Sequence, residues 1–136
     1  MDGCGIRDLA IPAGIMTIII TGRKSNILEK RCKELGITKI YQGVVNKMEH
    51  MKSVIPDLSE MAYIGDDIND LTCMSAVKAG GGVVGCPADA AKEVVDLATF
   101  VSLQKGGNGA VSEFIEWGFN STTRFKLYCL QHPPGS

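Results

Sequence analysis

Met61-Ala62-Tyr63-Ile64-Gly65-Asp66-Asp67-Ile68-Asn69-Asp70 is the stretch whose reading decides the fold. Four apolar residues closed by a glycine read as a strand buried on both faces. The change of character at Gly65 marks the strand's exit, and beyond it three carboxylates and an amide fall within five residues. Crowded like charges repel one another and lose hydration, so a site of this kind normally gathers around a cation. Oxygen-only ligands favour magnesium, which binds one or two carboxylates together with waters and phosphate. An acidic helix start stabilised by the macrodipole is the plainer alternative and stays open. An EF-hand loop is excluded, because its later glycine and terminal glutamate are missing.

Outward from this stretch, apolar blocks alternate with helical patterns. Ile15 to Ile20 is a β-branched run closed by Thr21-Gly22. Ser25 is placed to cap a helix over 26–35 that Gly36 ends. Ile40-Tyr41 is a short strand, followed by a helix around 46–55 that Pro56-Asp57 breaks. A helix over about 68–77, a strand at 82–85, a helix at 88–95, a strand at 100–103 and a helix over about 110–119 follow. Such alternation with short connections predicts an α/β fold, a three-layer Rossmann-like parallel sheet with helices on both faces. The chain reads as one domain over 1–119, with 120–136 as the end of the last helix and a tail. In open parallel sheets, ligands bind beyond the carboxyl ends of the strands. That rule directs attention to Thr21-Gly22-Arg23, to 42–47 and to 65–70.

Thr21-Gly22-Arg23 offers a hydroxyl, a residue without a side chain and a helix start, the makings of an anion cradle. Arg23 adds a planar donor fork suited to phosphate or carboxylate, and Arg31, two helical turns on, can face the same mouth. A simple turn with an N-cap accounts for the triplet equally well taken alone. Lys47 opens the helix after Ile40-Tyr41-Gln42-Gly43; without context a lone lysine is a surface residue.

Composition narrows the classes. The 136 residues are 45% apolar and 21% charged with a formal net charge of -1, which gives no electrostatic reason to expect nucleic acid or an anionic membrane as partner. Five cysteines without C-x-x-C spacing suggest neither a zinc site nor a disulfide framework, and read as small buried hydrophobes in a reducing compartment. No apolar run is long enough to span a bilayer and no signal segment opens the chain, so a cytoplasmic protein is expected. Gly80 to Gly85 matches G-x-G-x-x-G, but where a helix gives way to a strand, the reverse of the dinucleotide fingerprint. His50 and His132 have no partner pattern of a catalytic dyad.

Taken in order, these elements resemble the later motifs of the haloacid dehalogenase superfamily of phosphatases. The nearer likeness is to its small capless branch, which dephosphorylates 3-deoxy-octulosonate 8-phosphate and related nine-carbon keto-sugar acid phosphates. It is carried by Asp2-Gly3-Cys4-Gly5-Ile6, Ile20-Thr21-Gly22-Arg23, Leu35-Gly36-Ile37, Tyr41-Gln42-Gly43, Asn46-Lys47, Tyr63-Ile64-Gly65-Asp66-Asp67 and Gly106-Gly107-Asn108-Gly109-Ala110-Val111, nearly the whole chain to about residue 118. The resemblance implies a magnesium-dependent hydrolase of a phosphorylated sugar acid, without a cap domain and assembled as a homotetramer. In it Thr21 would hydrogen-bond the transferring phosphoryl group and Lys47 would neutralise its charge. Asp66 would bind magnesium directly, with Asp67 and Asp70 positioning the ion or its waters. Asp2, Gly3, Gly22, Arg23 and Arg31 fall where the family contacts substrate.

Two departures accompany the likeness. The family begins with a strand ending in Asp-x-Asp-Gly, about forty residues before the position of Asp2; the first Asp attacks phosphorus and the second serves as general acid and base. No Asp-x-Asp occurs in this sequence, and Ser112 stands where the family usually carries Arg. The expectation is an N-terminal strand missing from the middle of the sheet, apolar faces of its neighbours exposed, and a chain inactive or nearly so. A rival reading is a non-catalytic oligomerisation domain like the C-terminal domain of sialic acid cytidylyltransferases. A phospho-acceptor signalling domain would also need an Asp at a strand's end, and would leave the glycine-rich 106–109 without a role.

Overall fold

Thr17, Ile18, Ile19 and Ile20 are all buried, as a β-branched run inside a covered sheet requires. They belong to β1 (Met16–Ile20), which α1 (Asn26–Leu35), β2 (Lys39–Tyr41) and α2 (Lys47–Val54) follow. The computed structural model describes residues 16–55, 57–65, 67–103, 113 and 127–130. A 3₁₀ turn at Leu58–Glu60 leads into β3 (Met61–Ile64), and a second at Ile68–Asp70 leads into α3 (Leu71–Ala79). Then come β4 (Val83–Cys86), α4 (Lys92–Leu97), β5 (Phe100–Val101) and β6 (Leu127–Leu130). The strands form one sheet of order β2-β1-β6-β3-β4-β5 in which every pairing is parallel.

Two apolar layers close on this sheet. Ile19, Ala62, Ile64 and Val83 point to one face and pack with Leu28, Cys32 and Leu35 of α1. Ile18, Ile20, Met61, Tyr63 and Val84 point to the other and meet Met51 of α2, Cys73, Met74 and Val77 of α3 and Val94 of α4. The three-layer α/β architecture expected from the sequence is therefore the one observed. Burying each of the largest of these side chains contributes about 1.5–3 kcal/mol. Among the described residues no helix is long and apolar enough to cross a membrane.

The helix starts and stops follow local chemistry. Ser25 caps α1 through its hydroxyl, which accepts the Leu28 N–H at 3.3 Å. Gly36 ends the helix at φ +80°, a left-handed conformation that glycine reaches without a Cβ penalty. The helix expected over 68–77 starts instead at Leu71, because Asp67 and Asp70 hold residues 68–70 in a 3₁₀ turn. The helix expected at 88 begins at Lys92, behind a turn in which Ala90 N–H donates to Pro87 O. Of the helix expected over 110–119, only Glu113 lies within the described residues; it is helical, and its Oε1 accepts the Leu103 N–H at 2.9 Å.

The larger correction concerns 120–136, expected as helix end and tail. Leu127–Leu130 is a strand, and it lies in the centre of the sheet. Leu127 pairs with both Met16 and Met61, Tyr128 with Thr17 and Ala62, and Cys129 with Ile18 and Tyr63. The expected gap beside β1 and β3 is thus filled, and neither presents an open edge there. Leu127-Tyr128-Cys129-Leu130 has the length and apolar character of β3, but its place between a helical pattern and a Pro-Gly terminus hides it from a periodicity reading.

Gly82 enters β4 where the chain leaves no room for a side chain: an added Cβ would lie 2.6 Å from the Met61 carbonyl oxygen and 2.7 Å from Val77 Cγ1. Gly82→Ala should lower stability by about 1–3 kcal/mol, read as a lower urea midpoint at unchanged slope. Desolvation, and secondarily the charge of Glu29, push the buried Cys32 thiol from 9.0 up to about 11. The folded chain holds this proton more tightly than the unfolded one. Its contribution to stability is complete below about pH 9 and is lost as pH rises through about 11. The alkaline fall in denaturation midpoint should therefore be shallower in Cys32→Ala than in the parent chain.

Candidate active site

Because all pairings are parallel, the carboxyl ends of β1, β6 and β3 lie at one edge of the sheet. From β1 the chain turns outward to β2 on one side; β3, β4 and β5 build outward on the other. The strand order therefore reverses about β6, and the loops after β1 and β3 flank the crevice that such a switch point creates.

On the β1 side, two loops are laced into one body by main-chain bonds. Thr21 N–H donates to Tyr41 O at 3.0 Å, Val44 N–H to Thr21 O at 3.0 Å, and Gly43 N–H to Arg23 O at 3.0 Å. Gln42 Oε1 accepts the Ser25 N–H at 2.7 Å, which adds a side-chain tie. Gly43 adopts φ +65°, and a side chain there would run into the stem of Lys24. Thr21 is buried, and its Oγ1 accepts the Arg23 N–H at 3.2 Å. A hydroxyl that accepts in this way keeps its own proton to donate, the requirement for a contact to an anionic oxygen. Gly22 and Arg23 are exposed beside it.

Lys47 is the first residue of α2, behind Asn46, whose Oδ1 accepts the Glu49 N–H at 3.0 Å. A cation at this position opposes the helix dipole, so helix stability does not explain its type. Arg31 of α1 is partly buried and forms an ion pair with Glu34 at 3.3 Å.

On the β3 side, the acidic loop is ordered by its own carboxylates. Asp67 and Asp70 form a reciprocal capping box around the 3₁₀ turn. Asp67 Oδ1 accepts the Ile68 N–H at 2.7 Å, and Asp70 Oδ2 accepts the Asp67 N–H at 3.2 Å. Asp70 is 0% exposed, and its Oδ1 accepts the Tyr63 hydroxyl at 2.8 Å. Gly65 makes this burial possible, since a Cβ there would lie 2.7 Å from both Cβ and Cγ of Asp70. Asp67 remains exposed at the turn.

Cys73 of α3 is buried in the same core cluster as Tyr63. Burial above all raises its thiol pKa; the Tyr63 hydrogen bond lowers it, the charge of Asp70 raises it and that of Lys47 lowers it. Of the sequence-predicted residues, Thr21, Gly22 and Arg23 share one loop, Asp67 and Asp70 share the other, and Lys47 begins α2. Asp2, Gly3 and Asp66, together with Asn108 and Ser112, lie outside the described residues. Among the described residues no three His, Cys, Asp or Glu side chains converge as a metal cluster.

Two contacts of the site are not legible in the sequence. Tyr63 reads as core, although a tyrosine in a strand buried on both faces needs a partner for its hydroxyl, and Asp70 of the acidic loop supplies it. Gln42 lies in the 42–47 stretch at a strand exit, but nothing in the sequence marks its side-chain tie to Ser25. A cleft of about 560 Å³ between α1 and β2, lined by Glu29, Lys33, Ile37, Thr38, Ile40 and Gln42 among others, lies apart from this arrangement and shares only Gln42 with it.

Comparison with known proteins follows the same lines. The chain is 40% identical over 116 residues to the 3-deoxy-D-manno-octulosonate 8-phosphate phosphatase KdsC of Escherichia coli K12, an alignment covering 82% of this chain and 59% of that protein. It thus spans about 59% of the length of the curated relatives it matches. The 3-deoxy-D-manno-octulosonate 8-phosphate phosphatase of Moraxella catarrhalis, solved with magnesium, phosphate and KDO, superposes with a TM-score of 0.75 at 34% identity, over 85% of this chain and 66% of that one. The cobalt-bound deoxy-D-mannose-octulosonate 8-phosphate phosphatase of Haemophilus influenzae superposes with a TM-score of 0.70 at 31% identity, over 88% of this chain and 75% of that one. No family model matches the chain.

Tyr63→Phe removes the hydroxyl donor from a buried carboxyl oxygen and should cost about 1–3 kcal/mol. Gly65→Ala, which drives a methyl into Asp70, should cost at least as much. Urea titration of both variants beside the parent checks this.

Proposed function

The chain belongs to the 3-deoxy-D-manno-octulosonate 8-phosphate phosphatase branch of the haloacid dehalogenase superfamily, and from that premise we propose that its switch-point loops are the phosphate- and magnesium-binding part of a sugar acid phosphomonoesterase. The substrate class proposed is a keto-sugar acid phosphate, 3-deoxy-octulosonate 8-phosphate first and a nine-carbon sialic-acid-type 9-phosphate second. The observation that carries the proposal is that Thr21, with a hydroxyl proton to donate, and the ordered carboxylates of Asp67 and Asp70 follow the carboxyl ends of two strands that run parallel on either side of β6.

In this reading Thr21 donates to a phosphoryl oxygen, and the Lys47 ammonium offsets charge on the same group. Gly22 lets the group approach the backbone closely, and Arg23 binds the acid end of the substrate or its phosphate. Magnesium would be held by Asp66 and Asp67, which is exposed at the turn, while Asp70 keeps that turn in shape from beneath. The ion supplies Lewis-acid charge at the phosphoryl oxygens.

The acceptor of the phosphoryl group is a separate matter. The resemblance implies an Asp at the exit of a central strand. Here the central strand is Leu127-Tyr128-Cys129-Leu130, followed in sequence by Gln131-His132, with no carboxylate among them. We therefore propose that these 136 residues bind a phosphoryl group without accepting it covalently, the acceptor carboxylate belonging to none of them. The same acid-free central strand favours the second reading, a non-catalytic oligomerisation domain.

Thermal denaturation with and without magnesium separates the two. Saturating magnesium should raise the midpoint by about 5 °C, and Asp66→Ala should abolish the rise. No shift would favour the oligomerisation domain. With 3-deoxy-octulosonate 8-phosphate as substrate, phosphate release should stay at background. Strong turnover would show instead that an acceptor lies among these 136 residues.

A further inference from the structure

The proposed phosphate contacts come from two elements with different supports. Thr21 leaves β1, deep in the sheet, and its main chain is clamped to Tyr41 and Val44. Lys47 rides on α2, which packs on the core through Met51, fully buried, and through Met48 and Val54, partly buried. Apolar packing is non-directional and does not by itself hold the helix's first residue to a fraction of an ångström.

A ring contact supplies the second attachment. His50, one turn beyond Lys47, lies against Tyr41 with ring centroids 4.5 Å apart and planes inclined by 59°. Tyr41 is the residue whose carbonyl accepts the Thr21 N–H, and it pairs in register with Ile20. The same tyrosine therefore touches both halves of the proposed phosphate site, Thr21 through its main chain and α2 through its ring. Among the described residues His50 Nε2 is buried with no hydrogen-bond partner. What His50 shows at this place is the contact of its ring. Its main chain belongs to the helix: His50 N–H donates to Asn46 O at 3.1 Å, and His50 O accepts the Ser53 hydroxyl at 2.7 Å.

We propose that His50 is a positioning residue, its ring on Tyr41 fixing the Lys47 end of α2 at a set distance from Thr21. The inference rests on the phosphate-binding reading of Thr21 and Lys47, and can fail while that reading stands.

Two measurements on the full chain test it, with inorganic phosphate in saturating magnesium as the probe. By calorimetric titration, His50→Ala and Tyr41→Leu should each weaken phosphate binding by about five- to tenfold, and His50→Phe, which keeps a ring and drops the unpartnered nitrogen, should restore it to within about twofold. Lys47→Ala is the control: if it leaves phosphate affinity unchanged, the site reading falls. If Lys47→Ala weakens binding and His50→Ala does not, only the positioning role falls. The second measurement needs no ligand. Amide hydrogen exchange over 47–51 and at Thr21 should speed up several-fold in His50→Ala and return to the parent rate in His50→Phe. Unchanged exchange in His50→Ala overturns the proposal whatever the titration gives, and so does a His50→Phe chain that behaves like His50→Ala.

Discussion

The pairing of β6 with β1 on one side and β3 on the other holds the two halves of this sheet together, and with them the two halves of the site. Each half could satisfy its backbone without the other everywhere except along this seam. There, among the described residues, the main-chain groups of β1 and β3 pair with the four residues of β6. Parallel pairing then does the positioning. With β1, β6 and β3 running the same way, the loop that bears Thr21 and the loop that bears Asp67 and Asp70 cannot emerge anywhere but side by side. Strand direction and register set their separation.

Within that frame, the acidic loop solves a charge problem in an economical way. Three carboxylates in five residues are destabilising unless their charges are met, yet Asp67 and Asp70 mostly face backbone N–H groups and the Tyr63 hydroxyl. A carboxylate that accepts such donors is stabilised in its charged form, and it is fixed in orientation as well. Asp70 is thereby spent on structure. The acidic cluster is a supported platform with its exposed member, Asp67, on top, and the bland reading of the stretch as a capped helix start is half correct: the capping is real, and it is what shapes the platform.

How far the sequence carried depended on whether a feature is local. The β1 and β3 strands, the caps at Ser25 and Gly36, and the placement of Thr21, Lys47 and the acidic loop at strand exits are all readable, since each depends on a few neighbouring residues. The central strand was not readable, because its evidence is a partner 111 positions away, and an isolated Leu-Tyr-Cys-Leu looks like any apolar tetrapeptide. The 3₁₀ start at Ile68 was missed for a related reason. Periodicity sees a helix, and only the reciprocal bonds of Asp67 and Asp70 delay its onset. Tyr63 shows the intermediate case, a polar atom in a buried strand whose need for a partner is legible although the partner is not.

The two sides of the crevice differ in how firmly they are built. On the β3 side, Asp70 is fully buried, Gly65 is packed against it, and α3 seals the loop from below with Cys73, Met74 and Val77. On the β1 side, the edge strand β2 is only half-buried, and α2 buries Met51 fully but Met48 and Val54 only in part. A phosphate ester needs both a fixed cluster of negative ligands for its cation and cationic groups that close on it after it arrives. The first demands rigidity, because carboxylates allowed to relax would separate; the second tolerates compliance, because attraction to the bound anion itself completes the geometry. On the proposed reading, the unequal burial of the two sides matches that division: β2 and α2 are partly exposed, whereas Asp70 of the acidic loop is enclosed in the core.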